Sequence, residues 1–542
     1  MSNNFQEALK IIRKTAKQEV DKGAAFAKLC KIFFENDDIQ KQQFSKVWFY
    51  NDWAKENPSF SKTDIGIDLV AKIVGEPGFC AIQCKCYESD HTISKDDIDS
   101  FISASSNKIF SRLILIDTSL SDLGSNTQKV IENLDKSYQR IQTEQFEKSR
   151  IDWLSYLNKN QLVLKNKKQL KDHQIQAVDA AQAHFKNNDR GKLIMACGTG
   201  KTLTSLKIAE KIAGKGKTIL YMVPSLALMS QSIREWACES AISFNAFSAC
   251  SDTRVGKKKS QDDSIEISLS DLAFPATTDP ELLATKIKEV TKLNNDMTVI
   301  FSTYQSIDVI SKAQSKYKLK EFDLIICDEA HRTTGATLID DDEDESKFIR
   351  IHDNDYVKGK KRLYMTATPK IYGTKAKKKA EEGGLVTISM DDEKLYGKMF
   401  FFRGFNWAVD NNLLTDYKVV VLKVDESAIS QNLQNSFAQG SELKLNDASK
   451  IIGCYKALAK IGIGENEFKN DKKIKPIKSA LAFSQNIEIS KLFAKEFNRV
   501  IEDYTANEKV DDKNKINLEV DVNHIDGTFN AQQRNEKLNW LK

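Results

Sequence analysis

Gly191-Lys192-Leu193-Ile194-Met195-Ala196-Cys197-Gly198-Thr199-Gly200-Lys201-Thr202 passes from an apolar run into a glycine-flanked turn, then into the helix-spaced stretch LTSLKIAEKIA. Strand, glycine loop and helix in that order make a phosphate cradle. The glycines let the backbone bend, and the free N–H groups at the positive helix end attract an anion. Gly198 and Gly200 shape the loop, Lys201 would reach the β- and γ-phosphates of ATP, and the Thr202 hydroxyl would ligand Mg²⁺. A plain glycine turn at a helix start is the bland alternative.

Working outward, further apolar runs each precede a helical pattern: TILYMVP, MTVIFST, FDLIICDEA and RLYMTAT. Continuous apolar strands of this kind belong to a parallel sheet covered on both faces, so residues 170–404 read as one α/β domain. The run Phe322 to Cys327 ends in Asp328-Glu329-Ala330-His331. That ending puts two carboxylates at the carboxyl edge of the sheet, where open α/β folds bind ligands. Asp328 can hold the metal and Glu329 can orient and deprotonate water. Residues 251–296 and the acidic run Asp340–Asp344 read as surface insertions, the latter as solvated loop.

Composition bounds the rest. The 542 residues predict three or four domains, and 41% hydrophobic with 29% charged residues excludes global disorder. A net charge of +5 is too small over this length to prove a nucleic-acid partner. No secretory signal and no run of eighteen apolar residues is visible, and nine scattered cysteines suit reduced thiols. A cytoplasmic protein is expected. Cys80, Cys84, Cys86 and His91 have poor spacing for zinc.

The amino-terminal region differs in texture. Phe5, Leu9, Ile12 and Ala16, then Phe26, Leu29, Cys30, Phe33 and Phe34, recur at helical spacing. From Val47 to about Ser119 short strands follow (IDLVAKIV, FCAIQCKCY, RLILID), then a polar helix around 125–150. Residues 1–156 thus read as one domain and the Asn/Lys-rich 157–169 as a linker. IDLVAKIV and FCAIQCKCY pair as a hairpin across Gly75–Gly78, with Ala81, Gln83 and Lys85 on one face and Ile82, Cys84 and Cys86 on the other. Asp68, Gln83 and Lys85 are what metal-dependent phosphodiester hydrolysis needs: Asp68 and Gln83 hold Mg²⁺, and Lys85 positions or activates water. Gln and Lys on an exposed strand face are also ordinary.

These motifs carry two resemblances. Residues from about 165 onward resemble the superfamily-two DEAH helicases, through the phosphate loop, Asp328 to His331, and Thr366-Ala367-Thr368-Pro369. The resemblance implies that Gln174 contacts adenine and that His331 belongs to the ATP site. It also implies that Pro224-Ser225 and Ser302-Thr303 touch a DNA strand, and that Thr366 and Thr368 couple hydrolysis to movement. Ser479–Ser484 and His524–Gly527 resemble the first strands of a second motor domain over 405–542. That domain is incomplete, because the family's later arginine does not appear before Lys542. Residues 20–120 resemble Mrr-like endonucleases of the PD-(D/E)xK class, with Asp68, Gln83 and Lys85 on the Asp–x(n)–Gln–x–Lys pattern and Asp64 beside it. Where that family carries a helix glutamate this chain has Ala27, and Glu35, Asp37 and Asp38 are the nearby carboxylates.

Together the two halves resemble the front part of type ISP and type I-like restriction enzymes. The fold class implied is α/β, a PD-(D/E)xK nuclease followed by RecA-like helicase domains. The function implied is ATP-driven restriction of foreign double-stranded DNA. None of the seven prolines adjoins another, so no amino-methyltransferase loop is present. A methyltransferase and target-recognition module are therefore expected downstream or on another chain, and this chain is expected to be the front of a longer protein. Two other readings stand beside this one: a DNA repair helicase with a non-cleaving docking head, and a truncated non-catalytic DNA-binding module.

Overall fold

The computed structural model describes residues 4–61, 66–74, 76–250, 276–337, 344–382, 386–417, 419, 445–461, 476–506, 518–526, 529 and 531–541. Asp64, Gly75, residues 340–343 of the acidic run and Gly527 lie outside them. The chain divides into two compact units, one ending at Thr415 and the other beginning at Asp416.

The amino-terminal part of the first unit is a five-stranded sheet of order β1-β2-β3-β4-β5: Phe44–Phe49, Leu69–Ile73, Phe79–Lys85, Phe110–Asp117 and Ser137–Ile141. β1–β2 and β2–β3 are antiparallel, and β3–β4 and β4–β5 are parallel. Helix Asn4–Thr15 buries Phe5, Ala8, Leu9 and Ile12, one stripe at spacings of three and four. With helix Glu19–Asn36 it covers the face bearing Cys80, Ile82 and Cys84. Aromatic rings close this layer, Phe33 stacking on Phe146 at 4.2 Å and Phe5 on Phe146 at 4.6 Å. Each such buried ring contributes roughly 1.5–3 kcal/mol. Tyr50, Trp53, Phe101 and Ala81 fill the opposite face.

Two expectations change here. The polar helix around 125–150 is broken into helix Ser125–Glu132, strand β5 and helix Thr143–Glu147. β5 forms because Arg140 finds a buried carboxylate, Asp117, on its neighbour. Residues 157–169 are pinned rather than loose. Lys165 and Arg150 exchange two hydrogen bonds at 2.7 Å, and the Lys168 amide donates to Glu239 Oε2 at 2.6 Å.

The second part is an eight-stranded sheet of order β15-β6-β13-β11-β7-β10-β8-β9. In chain order its strands are β6 (Arg190–Met195), β7 (Thr218–Val223), β8 (Phe244–Ala249), β9 (Ala276–Thr277), β10 (Met297–Thr303), β11 (Leu324–Cys327), β13 (Arg362–Thr366) and β15 (Lys398–Arg403). Every neighbouring pair is parallel. β12 (Gly335–Thr337) and β14 (Val386–Ile388) make a separate pair. All five strands expected from apolar runs lie in the large sheet, with buried clusters on both faces. Phe405–Asp410, expected to open the second motor domain, is a helix of this first unit, its Trp407 ring 5.5 Å from that of His173.

The second unit has helices Leu445–Ala459, Ile487–Ala506 and Ala531–Leu541, with Ile451, Tyr455, Phe497, Val500 and Tyr504 in its core. Ser479–Ser484, expected as a strand, has no ladder partner among the described residues, and Phe483 is 93% exposed. A strand needs a hydrogen-bonded neighbour, and much of the chain between Tyr417 and Leu445 lies outside the described residues.

Candidate nucleotide and metal sites

The phosphate loop joins β6 to helix Lys201–Ile212. Gly198 and Gly200 both adopt positive φ, +79° and +89°, which L side chains rarely enter. Gly200 caps the helix, and a Cβ there would drive into the carboxamide of Gln174. That carboxamide is buried and committed. Its Nε2 donates to Thr199 O (3.2 Å) and Gly200 O (3.4 Å), and its Oε1 accepts from the Lys171 amide (2.8 Å). His173 Nε2 adds a contact of 3.0 Å to Thr199 O. Gln174, expected at a base, also buttresses the loop. Thr202 is half-buried at the helix start, within reach of the same cradle.

The acidic pair completes the floor. Asp328 is buried at the end of β11, between β7 and β13. Tyr221 OH donates to its Oδ2 (3.2 Å) and the Glu329 amide to its Oδ1 (2.9 Å). Burial first, then the neighbouring Glu329 charge, pushes the Asp328 carboxyl up to about 6. Glu329 takes left-handed backbone, φ +47°, a strained setting for a non-glycine residue at a functional loop. Its Oε1 lies 3.8 Å from Lys201 Nζ and its Oε2 3.3 Å from His331 Nδ1. The His331 hydrogen bond, opposed by burial and aided by Lys201, holds Glu329 below its ordinary value.

His331 Nδ1 also sits 2.9 Å from Thr366 Oγ1 at the tip of β13, and Thr366 Oγ1 accepts from the Thr368 amide at 3.2 Å. Lys201, Glu329, His331, Thr366 and Thr368 thus form one connected row across three strand ends. Motifs far apart in sequence meet there. Tyr221, and Tyr304, whose OH donates to Asp328 O at 2.8 Å, were missed by sequence reasoning. They carry no motif and act only because β7 lies beside β11 and β10 is the next strand beyond it.

Ser302 and Thr303 do not present their hydroxyls to a strand. Both are buried; Thr303 Oγ1 is 2.7 Å from Ser306 Oγ, and Ser302 Oγ is satisfied by the Thr303 carbonyl at 3.3 Å. Their position in the central strand β10 costs them solvent. Ser225, whose hydroxyl accepts from the Leu228 amide, and Gln305 are half-buried near the same sheet end.

In the amino-terminal sheet Asp68 stands just ahead of β2. Its amide donates to Ile82 O (3.0 Å) and its Oδ2 accepts from the Cys84 amide (2.7 Å), the residue between Gln83 and Lys85. Gln83 and Lys85 project from the same face of β3, opposite to Cys84. Gln83 is 3% exposed, and its Oε1 is buried with no hydrogen-bond partner among the described residues. An orphaned acyl oxygen beside a carboxylate is what a hard cation would satisfy, so the donor set fits Mg²⁺. Lys85 is half-buried, and Asp117, opposite it on β4, is bound by Arg140 through two hydrogen bonds of 2.7 and 2.9 Å.

No further carboxylate joins Asp68 from the described places the sequence suggested. Glu35 pairs with Lys31, Asp38 with Arg150 at 2.7 Å, and Asp37 accepts the Ile39 and Gln40 amides. Ala27 is buried in the helical layer. Among the described residues no three His, Cys, Asp or Glu side chains cluster, and Cys80, Cys84 and Cys86 are all buried. Among them, too, no helix is long and apolar enough to cross a membrane.

The restriction endonuclease family of Mrr catalytic type matches residues 35–163, and the family of the type III restriction enzyme res subunit matches 167–371. The ATP-dependent type ISP restriction-modification enzyme LlaBIII bound to DNA is 34% identical, with TM-score 0.78, over 98% of this chain and 33% of that one. A nuclease-deletion mutant of the type ISP enzyme LlaGI, in complex with a DNA substrate mimic, is 35% identical, with TM-score 0.46, over 69% of this chain and 23% of that one. The chain therefore spans about a third of the length of LlaBIII. No curated protein matches it in sequence.

Proposed function

The chain joins a restriction-endonuclease domain to a res-subunit helicase domain, and on that premise we propose that it is the ATP-driven nuclease and translocase part of a DNA restriction enzyme. The observation that carries this is the coexistence of two sets of groups on one chain. One is the connected row from Lys201 to Thr368; the other is the Asp68, Gln83 and Lys85 constellation with its orphaned oxygen. The domains we assign are a nuclease over 1–156, a pinned linker over 157–169, a first RecA-like domain from 170 that also holds the helix Phe405–Asp410, and residues of a second one from Asp416 onward.

At the motor, the loop amides and Lys201 would hold the phosphates of ATP, with Thr202 and Asp328 on its Mg²⁺. Glu329, kept ionised by His331, orients the attacking water. Thr366, touching His331, and Thr368, bonded to Thr366, would pass the change at the phosphate to the sheet edge. At the nuclease, Asp68 and Gln83 would hold Mg²⁺ and Lys85 would place the water against the scissile phosphate. A metal bound there supplies Lewis-acid polarisation of the phosphoryl oxygen. Double-stranded DNA in the cytoplasm is the proposed substrate. Methylation and target recognition are assigned to a module downstream or on another chain.

The test mixes the chain with linear duplex DNA, ATP and Mg²⁺ and follows phosphate release and strand breaks together. Asp68→Asn should keep DNA-stimulated phosphate release and lose strand breakage by about 10²-fold or more. Lys201→Ala should lose both. Breaks that survive Asp68→Asn at the wild-type rate would reject the nuclease assignment.

A further inference from the structure

The nuclease sheet meets the motor at one end of its β2–β3 hairpin. Glu76, in the turn of that hairpin, accepts from Lys286 Nζ at 2.7 Å, and Lys286 lies on the motor helix Pro280–Leu293. Arg112 of β4 donates to the same Glu76 oxygen (3.2 Å) and to Gln43 (3.1 Å), so the turn, β4 and the start of β1 share one polar knot. A second anchor lies close in sequence to Gln43. Asp37, 1% exposed, faces Arg234 Nη1 of the motor helix Leu226–Glu239 at 3.8 Å. The pinned linker makes a third, through Lys168 to Glu239 and Glu235 of that same helix.

Asp68, Gln83 and Lys85 sit at the other end of the hairpin. β2 is five residues long, so the grip and the metal end are separated by roughly 17 Å of stiff, hydrogen-bonded ladder. The helix Pro280–Leu293, which falls in a segment the sequence marks as a surface insertion, is therefore half of a bracket.

We propose that the motor positions the nuclease by this bracket: Lys286 and Arg234 are positioning residues that fix the metal-binding end of the hairpin through Glu76 and Asp37. The proposal rests on the nuclease and motor assignment above for its functional part, but the bracket itself is a mechanical statement. It makes the hairpin a rigid arm directed outward from the motor, so that the cutting groups keep a constant place relative to DNA held by the motor. Loosening the grip moves those groups without touching them, and a displacement near 1 Å at a reacting centre costs about 10²-fold in rate.

The experiment uses the whole chain as wild type, Lys286→Glu, Lys286→Arg and Arg234→Leu. Amide hydrogen exchange is followed over 69–85 and 37–43, with the strands 190–195 and 297–303 as internal reference. Lys286→Glu should quicken exchange in the hairpin by about tenfold while leaving the reference strands unchanged, and Lys286→Arg should match wild type. Arg234→Leu should do the same at 37–43. On linear DNA, Lys286→Glu should retain phosphate release within about twofold and lose about tenfold in cleavage. Unchanged hairpin exchange in Lys286→Glu overturns the bracket, as does a parallel fall in phosphate release and cleavage. Wild-type chain that neither releases phosphate nor cuts would sink the proposed function instead, with hydrogen exchange still deciding the bracket.

Discussion

Gly200→Ala should cripple nucleotide binding while leaving the rest of the protein folded. Gly200 sits at φ +89° with Gln174 packed where a Cβ would go. Left-handed backbone costs an alanine about 1–2 kcal/mol. The methyl would also displace the carboxamide that bonds Thr199 O and Gly200 O, at about 1 kcal/mol for each bond lost. The sum, about 3–4 kcal/mol, is relieved most cheaply by letting the loop open. The penalty should therefore appear in affinity, as a dissociation constant about 150- to 1000-fold weaker. Titration with a fluorescent ATP analogue reads this, and a urea unfolding curve within about 1 kcal/mol of wild type shows that the fold survives. Adding Gln174→Ala removes the steric part and keeps the torsional part, so the two changes should be less than additive by about 1–2 kcal/mol. Nucleotide binding within about threefold of wild type in Gly200→Ala would refute the buttress argument.

Gln83→Met should abolish cleavage yet raise stability of the metal-free protein by about 1 kcal/mol, because it removes a buried acceptor that nothing satisfies; a destabilised variant in EDTA would count against a metal-ligand role for Gln83. Acid should weaken the first unit through His352, whose ring contacts Tyr364 OH at 3.0 Å and Thr333 O at 3.2 Å. Burial chiefly lowers it to about 4 against an unfolded value near 6.5. In that window the unfolded chain takes up a proton and the folded one does not. The contribution is thus complete above about pH 6.5 and is lost as pH falls toward 4, by about 3 kcal/mol. Urea unfolding of wild type and His352→Asn at about pH 7.5, 5.5 and 4.5 should give a shallower slope for the variant, and parallel slopes would exclude the ring as the source.

Much of the motor was legible because its strands are buried on both faces and announce themselves as apolar runs. GKLIMAC, TILYMVP, MTVIFST, FDLIICDEA and RLYMTAT all entered the eight-stranded sheet, and the loop glycines sit at positive φ. Alternation along β3 likewise separated Gln83 and Lys85 from Cys84. Reading failed where the determinant lay on another element. β5 is too polar to look like a strand until Asp117 is seen to receive Arg140. Ser302 and Thr303 carry hydroxyls suited to phosphate, but their place in β10 buries them.

What the residues determine unaided is chemistry with a local origin: a glycine loop before a helix, two acids after an apolar strand, and a Gln-x-Lys step on a pleated ribbon. Each needs only short-range geometry, which a few consecutive side chains specify. Which of those groups meet is a matter of long-range packing. Gln174 packs under the glycine loop, Glu35, Asp37 and Asp38 went to other partners, and Lys286 of the helix at 280–293 reached Glu76. Those outcomes depend on pairings between residues up to 210 positions apart, and no local pattern in the chain encodes a partner at that distance.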